Sequence, residues 1–194
     1  MRPEEIQTVS LGEEYRLIAI SDVHGNLPAL TKLLKKIHYT SDDILVFVGD
    51  LFDKGPEELV LDNLAFIRGL TKQKKVYAVC GNWERVVWEY PKEKLVRWKV
   101  NNPFKIWARE EGFDPLTLEN FDQAMEGVKA RHRDYVDWVY SLPLALETED
   151  FVFVHAGLEP LPDWRDSDPQ KVLRHDDFIY EKQTTGKWVV CGHI

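Results

Sequence analysis

The sequence predicts an α/β fold that carries a helical insert. Three observations lead there. Short apolar runs alternate with helix-period stripes over the first eighty residues, a long helical stretch rich in Trp and charge follows, and two further apolar runs come after it.

Taken in order, the run Tyr15–Ser21 reads as a first strand. Asn26 has the short polar side chain that caps a helix, and Pro28 suits the first turn. Leu30, Leu33, Leu34 and Ile37 then recur on one face. Asp43–Val48 reads as a second, buried strand. Pro56 and the pair Glu57–Glu58 open a second helix, with acid at its positive end and an apolar stripe of Leu59, Leu61, Leu64, Ile67 and Leu70. Lys75–Cys80 is the third strand, and this β-α-β-α-β order asks for a mostly parallel sheet covered by helices. From about Trp83 to Leu142 the chain reads as helical, punctuated by Pro91, Pro103, Gly112 and Pro115. Strands return at Asp150–Val154 and Lys187–Cys191. The middle is expected to be an insert between two halves of one sheet. Residues 1–194 are expected to form a single domain, because roughly sixty residues alone would make a thin core.

Composition narrows the function classes. A chain of 194 residues that is 44% hydrophobic, with seven Trp, seven Tyr and nine Phe, can bury a core and is not a disordered segment. The apolar runs Leu17–Ile20, Ile44–Val48 and Phe151–Val154 are too short to cross a bilayer, and no apolar stretch follows the charge at the amino terminus. No membrane partner and no signal peptide are therefore expected. A net charge of -8 disfavours specific binding of duplex nucleic acid. Cys80 and Cys191 cannot build a disulfide framework, so they are read as packing residues and a reducing cytoplasm is expected.

Polar residues gather at the carboxyl ends of the strands, where open α/β sheets place their ligands. The first strand ends in Ser21-Asp22-Val23-His24-Gly25-Asn26 and the second in Gly49-Asp50-Leu51-Phe52-Asp53-Lys54-Gly55. The later ends are Gly81-Asn82-Trp83-Glu84-Arg85, His155-Ala156-Gly157 and Gly192-His193. Singly, Asp22 or Asp50 reads as a helix cap and a lone His as structural. As a set they read differently, since His24, His155 and His193 are three of six histidines and share one predicted edge. Three carboxylate or amide oxygens with three imidazoles suit two divalent ions. Mixed donors favour manganese, iron, zinc or cobalt over calcium, with manganese expected to serve in vitro. Two ions about 3.5–4 Å apart can clamp a phosphate and activate water for in-line attack. One carboxylate must bridge them, and Asp50, between the other contributors in chain order, is the economical choice.

The ordered segments DVHGN, GDLFDKG, GNWE, HAG and GH resemble the pattern D-x-H, G-D-x-x-D-R-G, G-N-H-[DE], H-[AG]-G and G-H of calcineurin-type metallophosphoesterases. The resemblance runs from about Leu17 to the last residue. It is nearest to the small bacterial and phage branch of serine/threonine-type phosphatases and symmetrical diadenosine tetraphosphatases. It implies a β-sandwich flanked by helices. It also implies one metal held by Asp22, His24 and Asp50, and a second held by Asp50, Asn82, His155 and His193. The implied activity is phosphoester or phosphoanhydride hydrolysis by metal-activated hydroxide. Lys54 would hold phosphoryl oxygens and Asn82 would touch both metal and phosphate. The implied substrates are a phosphorylated small molecule, a nucleotide or a phosphoprotein.

Several positions depart from the pattern. Trp83 stands where the family carries the histidine that protonates the leaving group, and an indole N–H has no useful acidity. Losing such an acid typically costs about 10²–10⁴-fold in rate. Asp53, the candidate catalytic carboxylate that orients that histidine in the family, is expected to accept the Trp83 indole N–H instead. Lys54 replaces the common Arg and offers a point charge without a bidentate fork. The segment RHDDF puts His175 where an Arg is expected, with Arg174 one position early. The chain stops one residue past His193, so its C-terminal part is expected to be shortened relative to the family. Arg85 is a candidate phosphate ligand, or a partner of Glu84 or Glu89. His132 could supply an acid if the insert folds over the site, and otherwise lies on a solvated helix face. Trp88, Trp98, Trp107 and Trp138 are expected to serve as core and cover, and His38 carries no signal. Two function classes follow: a phosphohydrolase that favours easily departing groups, or a metal-binding pseudoenzyme acting as a binding or regulatory module.

Overall fold

The structure, a computed structural model, describes residues 1–12, 14–89, 100–112 and 118–193. Pro91, Trp98, Pro115 and Ile194 lie outside the described residues, as do the side chains of Trp88 and Glu89.

Among the described residues, seven strands form two sheets. The first has the order β2 (Leu17–Ile20), β3 (Ile44–Val48), β4 (Val76–Val79), and all of its strands are parallel. The second has the order β1 (Ile6–Thr8), β5 (Ala145–Glu147), β6 (Phe151–Val154), β7 (Trp188–Val190). In it β5 and β6 run antiparallel, while β1 pairs parallel with β5 and β7 parallel with β6. Helices α1 (Leu27–Lys36) and α2 (Glu57–Leu70) connect the strands of the first sheet. Helices α3 (Asn82–Glu89), α4 (Pro103–Glu110), α5 (Leu118–Arg131) and α6 (Arg133–Ser141) follow β4, and α7 (Pro169–Leu173) follows β6.

The expectation of one sheet is corrected here. The strands form two sheets packed on each other, as the family resemblance implied, and the reason is visible in β3. All five of its residues are buried, which a strand requires only when both faces are covered. Ile44, Val46 and Val48 meet Val79, Leu146 and Phe153 between the sheets. Leu45 and Phe47 point the other way and pack with Leu30, Leu34, Leu64 and Ile67 of α1 and α2. On the far face of the second sheet, Ala145, Val152 and Val154 pack with Leu158, Trp164, Val172 and Phe178. Each buried Val, Leu, Ile or Phe among them contributes roughly 1.5–3 kcal/mol.

The short strands β1 and β5 carry no run long enough to be read from sequence. They form because each pairs with a neighbour distant in the chain. Asn26 caps α1 as expected, accepting the Ala29 N–H at 3.1 Å. Trp107 is core, and Trp138 packs against the same cluster. Cys80 is buried in the second-sheet cluster, with Cys191 packed against it. His132 differs from the solvated face expected, since its ring stacks on Trp107 at 4.3 Å between centroids. No helix among the described residues is long and apolar enough to cross a membrane.

Candidate metal centre

Because β2, β3 and β4 are parallel and β6 runs parallel to β7, the loops at their carboxyl ends meet at one edge. Asp22 and His24 follow β2, Asp50 and Asp53 follow β3, Asn82 opens α3, His155 follows β6 and His193 follows β7. The backbone there is bent. Asp22, His24, Asp50, Lys54 and His193 have φ between 47 and 73°, a region uncommon for residues other than glycine. Backbone bonds hold these bends: Asp22 N–H donates to Gly49 O at 3.1 Å, His24 N–H to Asp50 O at 2.9 Å, and Gly192 N–H to His155 O at 2.8 Å. Gly49 is required at this crossing, since a Cβ would come within 2.6 Å of Gly81 Cα and His155 Nδ1.

Two groups of ligand atoms result. Asp22, His24 and Asp50 form one, and Asp50, His155 and His193 the other, with the atoms of each group within 4.8 Å of one another. Asp50 belongs to both and turns one oxygen to each. Its Oδ1 lies 3.4 Å from His155 Nε2 and its Oδ2 lies 3.8 Å from His24 Nε2.

The hydrogen bonds decide which ring nitrogens are free to bind a cation. His155 Nδ1 lies 2.9 Å from the Val48 carbonyl, an acceptor only, so the proton resides on Nδ1 and Nε2 carries a bare lone pair. That lone pair faces Asn82 Oδ1 at 3.0 Å and His193 Nδ1 at 3.1 Å. His193 turns its Nε2 to Asp176 Oδ1 at 3.3 Å, which leaves Nδ1 bare as well. His24 repeats the pattern: Nδ1 donates to Asp53 Oδ1 at 3.2 Å and Nε2 faces Asp22 and Asp50. Lone pairs that converge without a proton between them repel unless a cation joins them. Imidazole outer nitrogens fixed by a carboxylate or carbonyl are the usual companions of a metal ligand. The donor set therefore fits two divalent transition ions. The Asn82 amide turned over would instead donate to His155 Nε2 and the Asp50 oxygens at 3.0–3.1 Å.

The electrostatics are coupled. Burial opposes charge on Asp50, but its neighbours His155, the Trp83 backbone N–H and His24 hold its carboxyl below the ordinary range. Burial likewise opposes charge on His24, while the Asp53 bond and the nearby carboxylates raise its pKa. Asp53 is raised by burial, with His24 pulling the other way, and His193 is lowered by burial and by His155. Displaced groups crowded at one sheet edge are typical of functional sites.

The structure brings Asp22, His24, Asp50, Asn82, His155 and His193 together. Asp53 is corrected: its carboxylate meets His24 rather than the Trp83 indole, and Oδ2 is buried without a hydrogen bond. Lys54 Nζ sits 3.3 Å from His24 Nε2 and 4.2 Å from the centre of the Trp83 ring. Arg85 donates to Glu5 at 2.6 Å. His175 is buried and its Nε2 meets Glu181 at 3.1 Å.

Sequence reasoning missed Glu84 and Asp176. Asp176 was hidden in RHDDF, and only the fold carries it to His193. Glu84 did leave a signal, because an acid three residues into a helix reaches back to the N-cap N–H. It accepts that of Gly81 at 2.8 Å.

Comparisons with known proteins show the family and the fold. The model of the calcineurin-like phosphoesterase family matches residues 15–194. The asymmetrical bis(5'-nucleosyl)-tetraphosphatase PrpE of Bacillus subtilis is 27% identical, over 90% of this chain and 77% of its own. Serine/threonine-protein phosphatase 1 of Salmonella typhimurium is 31% identical, over 64% of this chain and 53% of its own. The symmetrical bis(5'-nucleosyl)-tetraphosphatase of Chromobacterium violaceum is 26% identical, over 84% of this chain and 50% of its own. In fold, the chain is similar to a cold-active protein-tyrosine phosphatase of a psychrophilic Shewanella, with a TM-score of 0.56 and 21% identity over 88% of this chain and 51% of that one. With its motifs, its two sheets and nearly its whole length matching, the chain belongs to the calcineurin-like phosphoesterase family, whose members are metal-dependent hydrolases of phosphate esters.

Proposed function

We propose that this protein is a dinuclear phosphohydrolase acting on phosphoanhydride or activated phosphoester bonds of nucleotides. The observation that carries the reading is Asp50, one carboxylate shared by two ligand groups with an oxygen turned to each. Asp22, His24 and Asp50 would hold one ion, and Asp50, Asn82, His155 and His193 the other. Manganese, iron, zinc or cobalt suits those donors. Bound there, two such ions supply the Lewis acidity that activates water and offsets phosphoryl charge.

The chain's own residues account for the rest. Asp53 fixes the tautomer of His24 and aims its Nε2. Lys54 brings a point charge to the edge of the centre, where a phosphoryl oxygen would meet it. Asn82 sits beside His155 and Asp50, where its amide would meet the second ion and a phosphoryl oxygen. Arg85 is held by Glu5 and takes no part in this reading. Trp83, at the position of the family's acid, cannot protonate a departing oxygen. Groups that leave easily without a proton are therefore favoured, nucleotide phosphates and aryl oxides above the alkyl oxide of phosphoserine. Relatives described as bis(5'-nucleosyl)-tetraphosphatases fit that preference.

The test is manganese-dependent hydrolysis of diadenosine tetraphosphate, bis-p-nitrophenyl phosphate and p-nitrophenyl phosphate, with Asp50→Asn beside the wild type. Turnover that the variant loses is the expected result. A folded protein that binds manganese and turns over none of the three would replace the hydrolase by a binding or regulatory module.

A further inference from the structure

Glu84 lies in the first turn of α3 and is completely buried. A carboxylate in that position must have its lone pairs satisfied by the protein. They are satisfied by three backbone donors. Oε2 accepts the N–H of Asp50 at 2.9 Å and of Gly81 at 2.8 Å, and Oε1 accepts the N–H of Leu51 at 2.9 Å. One side chain thus ties the loop after β3 to the loop after β4. The tie is reciprocal, because Asp50 Oδ1 accepts the Trp83 N–H at 3.0 Å.

The bonded groups are the ones whose placement matters. Asp50 stands at φ 53°, a left-handed bend that an Asp tolerates but does not prefer, and the N–H of that bent residue is held by Glu84. On the other side of the Leu51 peptide, Asn63 Nδ2 donates to the Leu51 carbonyl at 2.8 Å. Gly81 directly precedes Asn82, so fixing its N–H fixes the entry of that residue.

We propose that Glu84 is a positioning residue. By gathering the Asp50, Leu51 and Gly81 N–H groups on one carboxylate, it sets the Asp50 oxygens and the Asn82 amide at the separation the two ions require. The inference rests on the metal centre of the proposed function. Glu84 is no metal ligand in this account, since both of its oxygens face backbone donors. Glutamine cannot replace it, because its NH₂ would face an N–H. Aspartate is one methylene too short to reach both loops.

The test is manganese affinity by isothermal titration calorimetry for wild type, Glu84→Gln and Glu84→Asp, with metal-free melting temperatures alongside. A positioning role raises the manganese Kd about 10–100-fold in folded variants. A purely structural role lowers the melting temperature and leaves the affinity of the folded protein unchanged, which would overturn the proposal. If neither variant folds, amide hydrogen exchange of the wild type with and without zinc decides. The Asp50, Leu51 and Gly81 amides should gain protection together, and independent exchange overturns the clamp. Wild type that binds manganese without hydrolysing phosphate esters would sink the hydrolase reading and leave the clamp standing. Unchanged affinity in Glu84→Gln would do the reverse.

Discussion

The Lys54 ammonium stands 4.2 Å above the centre of the Trp83 ring and 3.3 Å from His24 Nε2. The indole face attracts the cation, worth about 0.5–1 kcal/mol at an exposed site, and so biases a flexible side chain toward the metal centre. Removing the charge with Lys54→Met should lower kcat/KM by about 10–100-fold, the usual loss of a hydrogen bond to a charged group. Trp83→Leu, which removes only the platform, should raise KM about two- to five-fold, while Trp83→Phe should stay near wild type. Steady-state kinetics on bis-p-nitrophenyl phosphate check both. Equal behaviour of Leu and Phe at position 83 would count against the platform.

Trp83→His restores an ionisable group where the family pattern has one. Its effect should depend on the leaving group. Alkyl phosphomonoesters should gain about tenfold or more, a part of the 10²–10⁴-fold that a general acid supplies, and nitrophenyl esters much less. The two rates are compared on one preparation shown to be folded by circular dichroism. No gain on the alkyl ester would mean that the missing acid is not what limits this enzyme.

Two glycines should respond oppositely to alanine. At Gly81 a new Cβ would fall on Asp50 N and Oδ1 and within 2.6 Å of Glu84 Oε2, so Gly81→Ala should abolish high-affinity manganese binding. Gly69 lies near the end of α2 with nothing within 4 Å of a built Cβ. Gly69→Ala should stabilise the protein by about 0.5–1 kcal/mol through helix propensity. Calorimetry and thermal melts separate the two outcomes.

Glu5 sets an acid limit on stability. Burial favours its neutral form, but hydrogen bonds from Arg2 and Arg85 outweigh that and hold its carboxyl at about 2, down from 4.5. The folded pKa is depressed, so the stabilisation is present above pH 4.5 and is lost as pH falls through about 2. Glu5→Gln should be less stable than wild type at neutral pH by about 1 kcal/mol, a figure reduced for the solvent exposure of Arg2. The gap should close on acidification. Melting temperatures from pH 7 to pH 2 check the sign, and a gap that widens toward low pH would refute it.

Much of the centre was legible because a ligand set is written locally. Each ligand stands in a short segment beside a glycine at the end of a strand, and alternation of strand and helix periods already points those ends one way. Residues whose partners are distant in sequence were not legible. The Asp53 carboxylate looked as though it had lost its partner, yet the bend at His24 brings the His24 Nδ1 to it. Arg85 was open between a phosphate ligand and a partner of Glu84 or Glu89, and the seating of the amino-terminal segment beside α3 supplies Glu5 instead. The stack of His132 on Trp107 depends on how α4 meets the start of α6.

By itself, the sequence determined the class of fold, the donor types and their order along the chain. Apolar period and residue chemistry are local properties, and five motifs in series leave little freedom for the centre they can build. The family resemblance implied two sheets where strand and helix periods suggested one, but the tertiary structure decided how they are built, since β1 and β5 exist only through pairing with each other and with β6. It also decided which nitrogen of each histidine is bare, and that one buried Glu84 holds two loops. Those outcomes depend on hydrogen bonds between segments far apart in the chain, whose free energy is realised only when the whole fold has closed.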